Sequence, residues 1–195
     1  RDLKPFALMV GDFESVRRLC ETSDGALDFV GRPERPILLL KKRHGHGIAD
    51  GVAPRSDSFG VMLPYTPIHE LLMEGPFAAL VMTSGNLSDE PIAFTNEEAV
   101  KHLGDLADFF LLHNRAIHIR TDDSVARVIA GQQRFLRRSR GYAPFPVELP
   151  ADTGGREILA TGPELSATIC VTRESRAFLS HHLGDLYNLA AYDSF

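Results

Sequence analysis

The sequence predicts an α/β domain built on a sheet of mixed direction, and three observations carry that prediction. Apolar runs of strand length, at residues 6–10, 35–40, 59–63 and 78–82, alternate with amphipathic stretches. Several of those stretches open on helix-capping residues: Asp12, Thr66 and Thr95. The 195-residue chain is 44% apolar and 24% charged, enough apolar surface to bury a sizeable core.

In order, residues 6–10 read as a short strand, and Asp12 then caps a helix with Phe13, Val16, Leu19 and Cys20 at helical spacing. Residues 35–40 form the next strand, and the Gly-, His-, Asp- and Pro-rich stretch 43–58 is a surface loop. A strand at 59–63 leads to Thr66-Pro67, where a cap and an N1 proline start a helix that runs to Met73. The run 78–82 is a strand opening into Thr83-Ser84-Gly85-Asn86-Leu87-Ser88. Thr95-Asn96-Glu97-Glu98 is a capping box leading into a helix over 99–107. Strands are predicted at 109–112, 124–130 and 134–138.

Pro144, Pro146 and Pro150, followed by Ala151-Asp152-Thr153-Gly154-Gly155, have the composition of a linker. Beyond it, 157–160, 168–172 and 176–179 read as three short strands, and Gly184-Asp185 precedes a helical start. So short a tail cannot build an independent core. The expected division is therefore a first domain over 1–148, a linker over 149–156, and the opening of a second, truncated domain over 157–195. The chain starts at Arg1-Asp2-Leu3-Lys4-Pro5, without methionine, and is expected to be a piece of a longer protein.

The net charge of −5 argues against general binding to nucleic acid or membrane surfaces. Two cysteines far apart, Cys20 and Cys170, are a reduced, cytoplasmic pattern and no disulfide framework or zinc site. No run is long enough to span a bilayer.

Four groups could carry chemistry. The loop 83–88 offers hydroxyls, an amide and backbone N–H groups to phosphate oxygens, with an ordinary glycine turn as the structural alternative. Arg120-Thr121-Asp122-Asp123-Ser124 sets two adjacent carboxylates at the mouth of a strand, where they could hold magnesium on a polyphosphate or simply cap a turn. Arg137-Arg138-Ser139-Arg140-Gly141-Tyr142 is a local positive field suited to phosphate, or else a solvated charge run. Arg1 and Lys4 place two cations before the first strand. His44-Gly45-His46 and His181-His182 are weak as metal ligands, lacking nearby cysteine or carboxylate partners. No P-loop, G-x-G-x-x-G or nucleophilic triad occurs by local motif.

Taken together, these blocks resemble one family. Lys4 to Met9, Met62-Leu63-Pro64-Tyr65-Thr66-Pro67, Val81 to Leu87, Glu90-Pro91-Ile92, His113-Asn114-Arg115, Arg120 with Asp122 to Val125, and Arg137 to Pro144 recur in this order in the YrdC-like domain of the HypF family of hydrogenase-maturation carbamoyltransferases. Residues 158–165 and 177–186 are similar to the entry into that family's next domain, which has an actin-like (ASKHA) ATPase fold. The resemblance implies a twisted mixed sheet flanked by helices, followed by the first strands of the actin-like domain. An acylphosphatase domain and a zinc-binding domain would lie upstream, so zinc is implied only outside this chain.

It also implies an enzyme. Carbamate derived from carbamoyl phosphate reacts with ATP, with Mg, to give carbamoyl-adenylate and pyrophosphate, and the carbamoyl group passes to the C-terminal cysteine of the partner HypE. Family guidance assigns Ser84 and Asn86 to phosphate contacts, with Thr83 and Gly85 shaping the loop. Arg1 and Lys4 approach the triphosphate or carbamate, and Arg120 belongs to the same binding set. Arg138 and Arg140 balance charge on pyrophosphate, and Asp123 with Ser124 orients the nucleotide. Asp122 and Asp123 are the candidate Mg ligands. Two departures from the family pattern stand out: Ser166-Ala167-Thr168 in place of Lys-Asn-Thr, and Asp89 where glycine is common. The isolated piece need not be active without the upstream strands. Two other functions use the same fold, a threonylcarbamoyl-adenylate synthase for tRNA modification and a non-catalytic RNA-binding module working through 134–140.

Overall fold

The structure, a computed structural model, describes residues 5–87, 90–186 and 189–194. It divides into two compact units, residues 1–83 with 123–141 and residues 84–122 with 142–195.

The first unit is a six-stranded mixed sheet with helices. Its strands are β1 (Ala7–Met9), β2 (Ile37–Lys41), β3 (Ser58–Met62), β4 (Leu80–Met82), β5 (Val125–Ile129) and β6 (Gln132–Arg137), and its helices are α1 (Phe13–Leu19), α2 (Asp24–Val30) and α3 (Pro67–Met73). The strand order is β4-β1-β3-β2-β5-β6. Parallel pairs β1–β3 and β2–β5 are interleaved with antiparallel pairs β1–β4, β2–β3 and β5–β6, so the expected mixed sheet is present. All five residues of β3 are buried, which is why its apolar run shows no alternation. Leu8, Val16, Phe29, Leu38, Phe59 and Val61 form the core.

Caps fix the helix starts. The Ser15 N–H donates to Asp12 Oδ1 at 2.6 Å, and the His69 N–H to Thr66 Oγ1 at 3.4 Å. Helix α2 was not predicted: it is two turns long and contains Gly25, which weakens a periodicity signal. Ser23 caps it, and Ala26, Leu27, Phe29 and Val30 are its buried side.

The second unit holds α4 (Asn96–Leu103), β7 (Val147–Glu148), β8 (Leu159–Thr161), β9 (Ile169–Arg173), β10 (Arg176–Leu179) and α5 (Leu189–Ser194). Its sheet is antiparallel throughout, in the order β7-β10-β9-β8. The Thr95 capping box forms, with both reciprocal bonds present, and α4 ends at Leu103 before Gly104, one turn earlier than predicted.

Residues 109–112 are not a strand. Phe109 is 93% exposed and Leu111 75%. A continuous apolar run supplies no period, and a strand exists only where a neighbour accepts its backbone hydrogen bonds. Among the described residues, no helix is long and apolar enough to cross a membrane.

Two measurements check the packing. Leu38→Ala should cost about 2–5 kcal/mol, read as a lower urea midpoint, because Leu38 is wholly buried in the central sheet. Burial pushes the Cys20 thiol up to about 12, so it should stay unlabelled by a disulfide reagent at pH 8 until the protein is unfolded. Native-state labelling of Cys20 in a Cys170→Ser background would contradict this packing.

Candidate functional site

In the first unit, polar residues gather at one end of the β5–β6 hairpin. The antiparallel pairing sets Val125 opposite Arg137, so residues 123–124 run beside 138–141. Ser124 is fully buried and its hydroxyl is used twice. It donates to the Arg140 carbonyl at 2.9 Å and accepts the Ser139 N–H at 2.8 Å. Its backbone carbonyl accepts from the Ile37 N–H at 2.8 Å.

Arg140 is held from four directions. Its Nε donates to Asp123 Oδ1 at 2.6 Å, Nη1 to the Glu34 carbonyl at 3.0 Å, and Nη2 to the Arg35 carbonyl at 2.9 Å. The guanidinium carbon lies 3.5 Å from the centre of the Tyr65 ring, a cation–π contact. Arg35 itself adopts φ 45°, a left-handed conformation unusual for a side-chain-bearing residue. Gly141 has φ 84°, and a Cβ there would stand 2.7 Å from Glu34 Cβ and 2.9 Å from Glu34 Cα. Only glycine fits this crossing of the two segments.

Tyr65 meets His69 edge-on, with ring centres 4.4 Å apart. Burial, then the nearby Asp123 carboxylate, raises the Tyr65 phenol, and the Arg140 charge opposes this. Burial lowers His69, which is therefore neutral at pH 7, and its Nδ1 is buried without a hydrogen-bond partner among the described residues. An open surface cavity of about 610 Å³ is lined by Arg35 and the stretch Pro64–Pro67, with Glu70 and Leu71 of α3 completing it. Arg138, next to β6, is half-buried.

In the second unit, the loop after β4 is closed by Asn86. Its Nδ2 donates to the Leu87 carbonyl at 2.8 Å and the Glu90 carbonyl at 2.9 Å. The Asn86 N–H donates to the Ser84 carbonyl at 3.0 Å, and the Ala93 N–H to the Gly85 carbonyl at 2.9 Å. Gly85 has no positive φ, so a left-handed turn is not the reason for glycine at this position. Arg120 stacks over Phe94 at 4.8 Å. His182 Nδ1 and Asp122 Oδ2 are 3.0 Å apart, both largely shielded from solvent. Burial lowers the neighbouring His181.

The predicted residues are thus sorted. Asp123, Ser124 and Arg140 come together in the first unit, and Ser84, Gly85 and Asn86 share one loop in the second. Thr83 follows β4 directly. Arg1, Lys4, Ser88 and Asp89 lie outside the described residues. Asp122 and Asp123 are adjacent in sequence, but Asp122 faces the His182 ring and Asp123 the Arg140 guanidinium. No group of three His, Cys, Asp or Glu side chains is assembled for a metal among the described residues. The sequence reading missed Tyr65 as a partner of Arg140 and His69 as the ring packed against Tyr65. Their i, i+4 spacing across the start of α3 is the only local signal that joins them.

Comparison with known proteins supplies the family. The family model Sua5/YciO/YrdC, which carries the description telomere recombination, matches residues 1–139. This chain belongs to the Sua5/YciO/YrdC family. Beyond that domain, the model of the HypF Kae1-like domain matches residues 153–195. The chain is 43% identical to the carbamoyltransferase HypF of Rhizobium leguminosarum bv. viciae, over 97% of this chain and 26% of that protein. It is also similar to a crystal structure of full-length HypF in the phosphate- and nucleotide-bound form, with TM-score 0.92 and 49% identity over 99% of this chain and 30% of that one. The Sua5 of P. abyssi, solved with L-threonine, shares the Sua5/YciO/YrdC fold at TM-score 0.59 and 15% identity, covering 71% of this chain and 41% of that one. The chain spans about a quarter of the length of the curated relatives it matches.

Gly141→Ala should destabilise the first unit by more than about 1 kcal/mol, because the added Cβ meets the Glu34 backbone in a left-handed conformation. Urea unfolding followed by circular dichroism reads this directly.

Proposed function

We propose that this chain is part of a carbamoyltransferase of the HypF type, and that its Sua5/YciO/YrdC domain forms carbamoyl-adenylate. The observation that carries this reading is the likeness over 99% of the chain to a HypF solved with phosphate and nucleotide. A carbamate oxygen attacks the α-phosphorus of ATP, the bond from that phosphorus to the β-bridging oxygen breaks, and pyrophosphate leaves. No protein nucleophile is needed, so the site works by positioning and charge stabilisation. In the full-length enzyme the carbamoyl group then goes to the C-terminal cysteine of HypE, in nickel–iron hydrogenase maturation.

In this reading the domains run over 1–148 and from 157 onward, joined by 149–156. The 83–88 loop binds phosphate through Ser84 and the backbone around Gly85, with Asn86 holding the loop closed and Thr83 at its entry. Arg120 and Arg138 supply positive charge, and Arg1 and Lys4 approach the triphosphate or carbamate. Asp123 and Ser124 act as framework, since their polar atoms are committed to Arg140 and to the backbone of 139–140. Magnesium arrives with the nucleotide phosphates. A reducing cytoplasm suits the two free cysteines.

Asn86→Ala in the full-length protein removes both bonds that close the loop. Carbamate-dependent ATP–pyrophosphate exchange should fall about a hundredfold, the scale of a misplaced contact. Undiminished exchange would sink the loop assignment. Exchange driven by threonine with bicarbonate, and not by carbamoyl phosphate, would transfer the chain to the threonylcarbamoyl-adenylate reaction.

A further inference from the structure

Arg140 touches two residues that line the cavity in the first unit without lining it itself. Its Nη2 holds the Arg35 carbonyl at 2.9 Å, and its guanidinium lies 3.5 Å from the Tyr65 ring centre, and both of those residues line the cavity. On the remaining side its charge is met by Asp123 at 2.6 Å. Nε, Nη1 and Nη2 each donate a bond inside the protein, and the Tyr65 ring covers one face. A guanidinium so placed is poorly available to an anion, because a phosphate would compete with a carboxylate already paired to it. The cavity has a different character. Its walls are Arg35, Tyr65, Thr66, two prolines, Glu70 and Leu71, so an aromatic and apolar surface carries one cation and one anion. A tyrosine beside proline and leucine, with a small number of polar groups at Arg35, Thr66 and Glu70 to orient a ligand, suits a flat heterocycle.

We propose that Arg140 is a positioning residue: it sets the spacing of Arg35 and Tyr65, and the cavity it braces receives the base of the nucleotide and not its phosphates. This rests on the nucleotide reading above and replaces the pyrophosphate contact that the family resemblance implied for Arg140. The strained Arg35 backbone fits the same role, since the bond from Arg140 to its carbonyl helps hold that conformation in place.

The test compares Arg140→Lys, Arg140→Ala and Tyr65→Leu in the full-length protein, with ATP and inorganic pyrophosphate as separate probes in titration calorimetry. Each variant should weaken ATP binding about tenfold and leave pyrophosphate binding within about twofold, since only the base subsite is disturbed. Lysine should not rescue, because it keeps the charge but lacks the fork that reaches Asp123, Glu34 and Arg35 together. The double variant Arg140→Lys with Tyr65→Leu should bind ATP no worse than either single one. A selective loss of pyrophosphate affinity, rescue by lysine, or additive losses would overturn the proposal.

A readout independent of nucleotide keeps it separate from the functional reading. In urea unfolding, the cycle Arg140→Lys with Tyr65→Leu should show about fivefold non-additivity in the unfolding constant, as coupled neighbours do. Wild-type protein that binds no ATP, with that coupling intact, would refute the nucleotide reading and the base subsite while leaving the brace. Additive unfolding would refute the brace whatever ATP does. Should Arg140→Ala fail to fold, Arg140→Lys and Tyr65→Leu carry the same comparison.

Discussion

The ion pair between Arg140 and Asp123 is the contact around which the polar end of the first unit is organised. Both side chains are largely withdrawn from solvent, so each needs the other to offset its desolvation. The pair is not isolated. The guanidinium reaches on to the carbonyls of Glu34 and Arg35, while Ser124, next to Asp123, bonds to the Arg140 carbonyl and the Ser139 N–H. One short segment, 138–141, therefore ties the entry of β5 to the loop before β2 and to the start of α3. Gly141 is the steric condition for this, since any Cβ there would enter the Glu34 backbone.

The pair also redistributes the chemistry. A cluster of arginines beside adjacent aspartates invites a phosphate-and-metal reading, yet here one arginine and one aspartate neutralise each other. The second aspartate faces a histidine instead. The first unit also offers a cavity in which Tyr65, two prolines and Leu71 stand with one cation, Arg35, and one anion, Glu70. The loop after β4 is instead built of small residues, with Ser84, Gly85 and Asn86 in succession.

Much of the fold was legible because local rules and tertiary context agree. Asp12, Thr66 and Thr95 cap the helices they were expected to cap, and the apolar runs at 59–63 and 176–179 are strands within a residue. The failures have equally local causes. Helix α2 is short and glycine-bearing, so its buried side leaves little periodic signal. Phe109 to Leu112 is apolar enough for a strand, but no neighbouring strand pairs with it. For the site, the residue types in 83–88, 120–124 and 137–142 were visible as motifs. Their partners were not, because Arg140 lies 105 residues from Arg35, and such a contact has no local spacing to betray it.

The sequence by itself determined which segments cap, which run apolar and which carry charge, since these depend on neighbours within a turn or a strand length. It also held enough ordered motif for the family to be recognised. Only the tertiary structure decided which charges are spent. Whether a guanidinium is a ligand or a brace depends on the groups that fold against it from distant parts of the chain. For Arg140 those are a carboxylate, two carbonyls and an aromatic face.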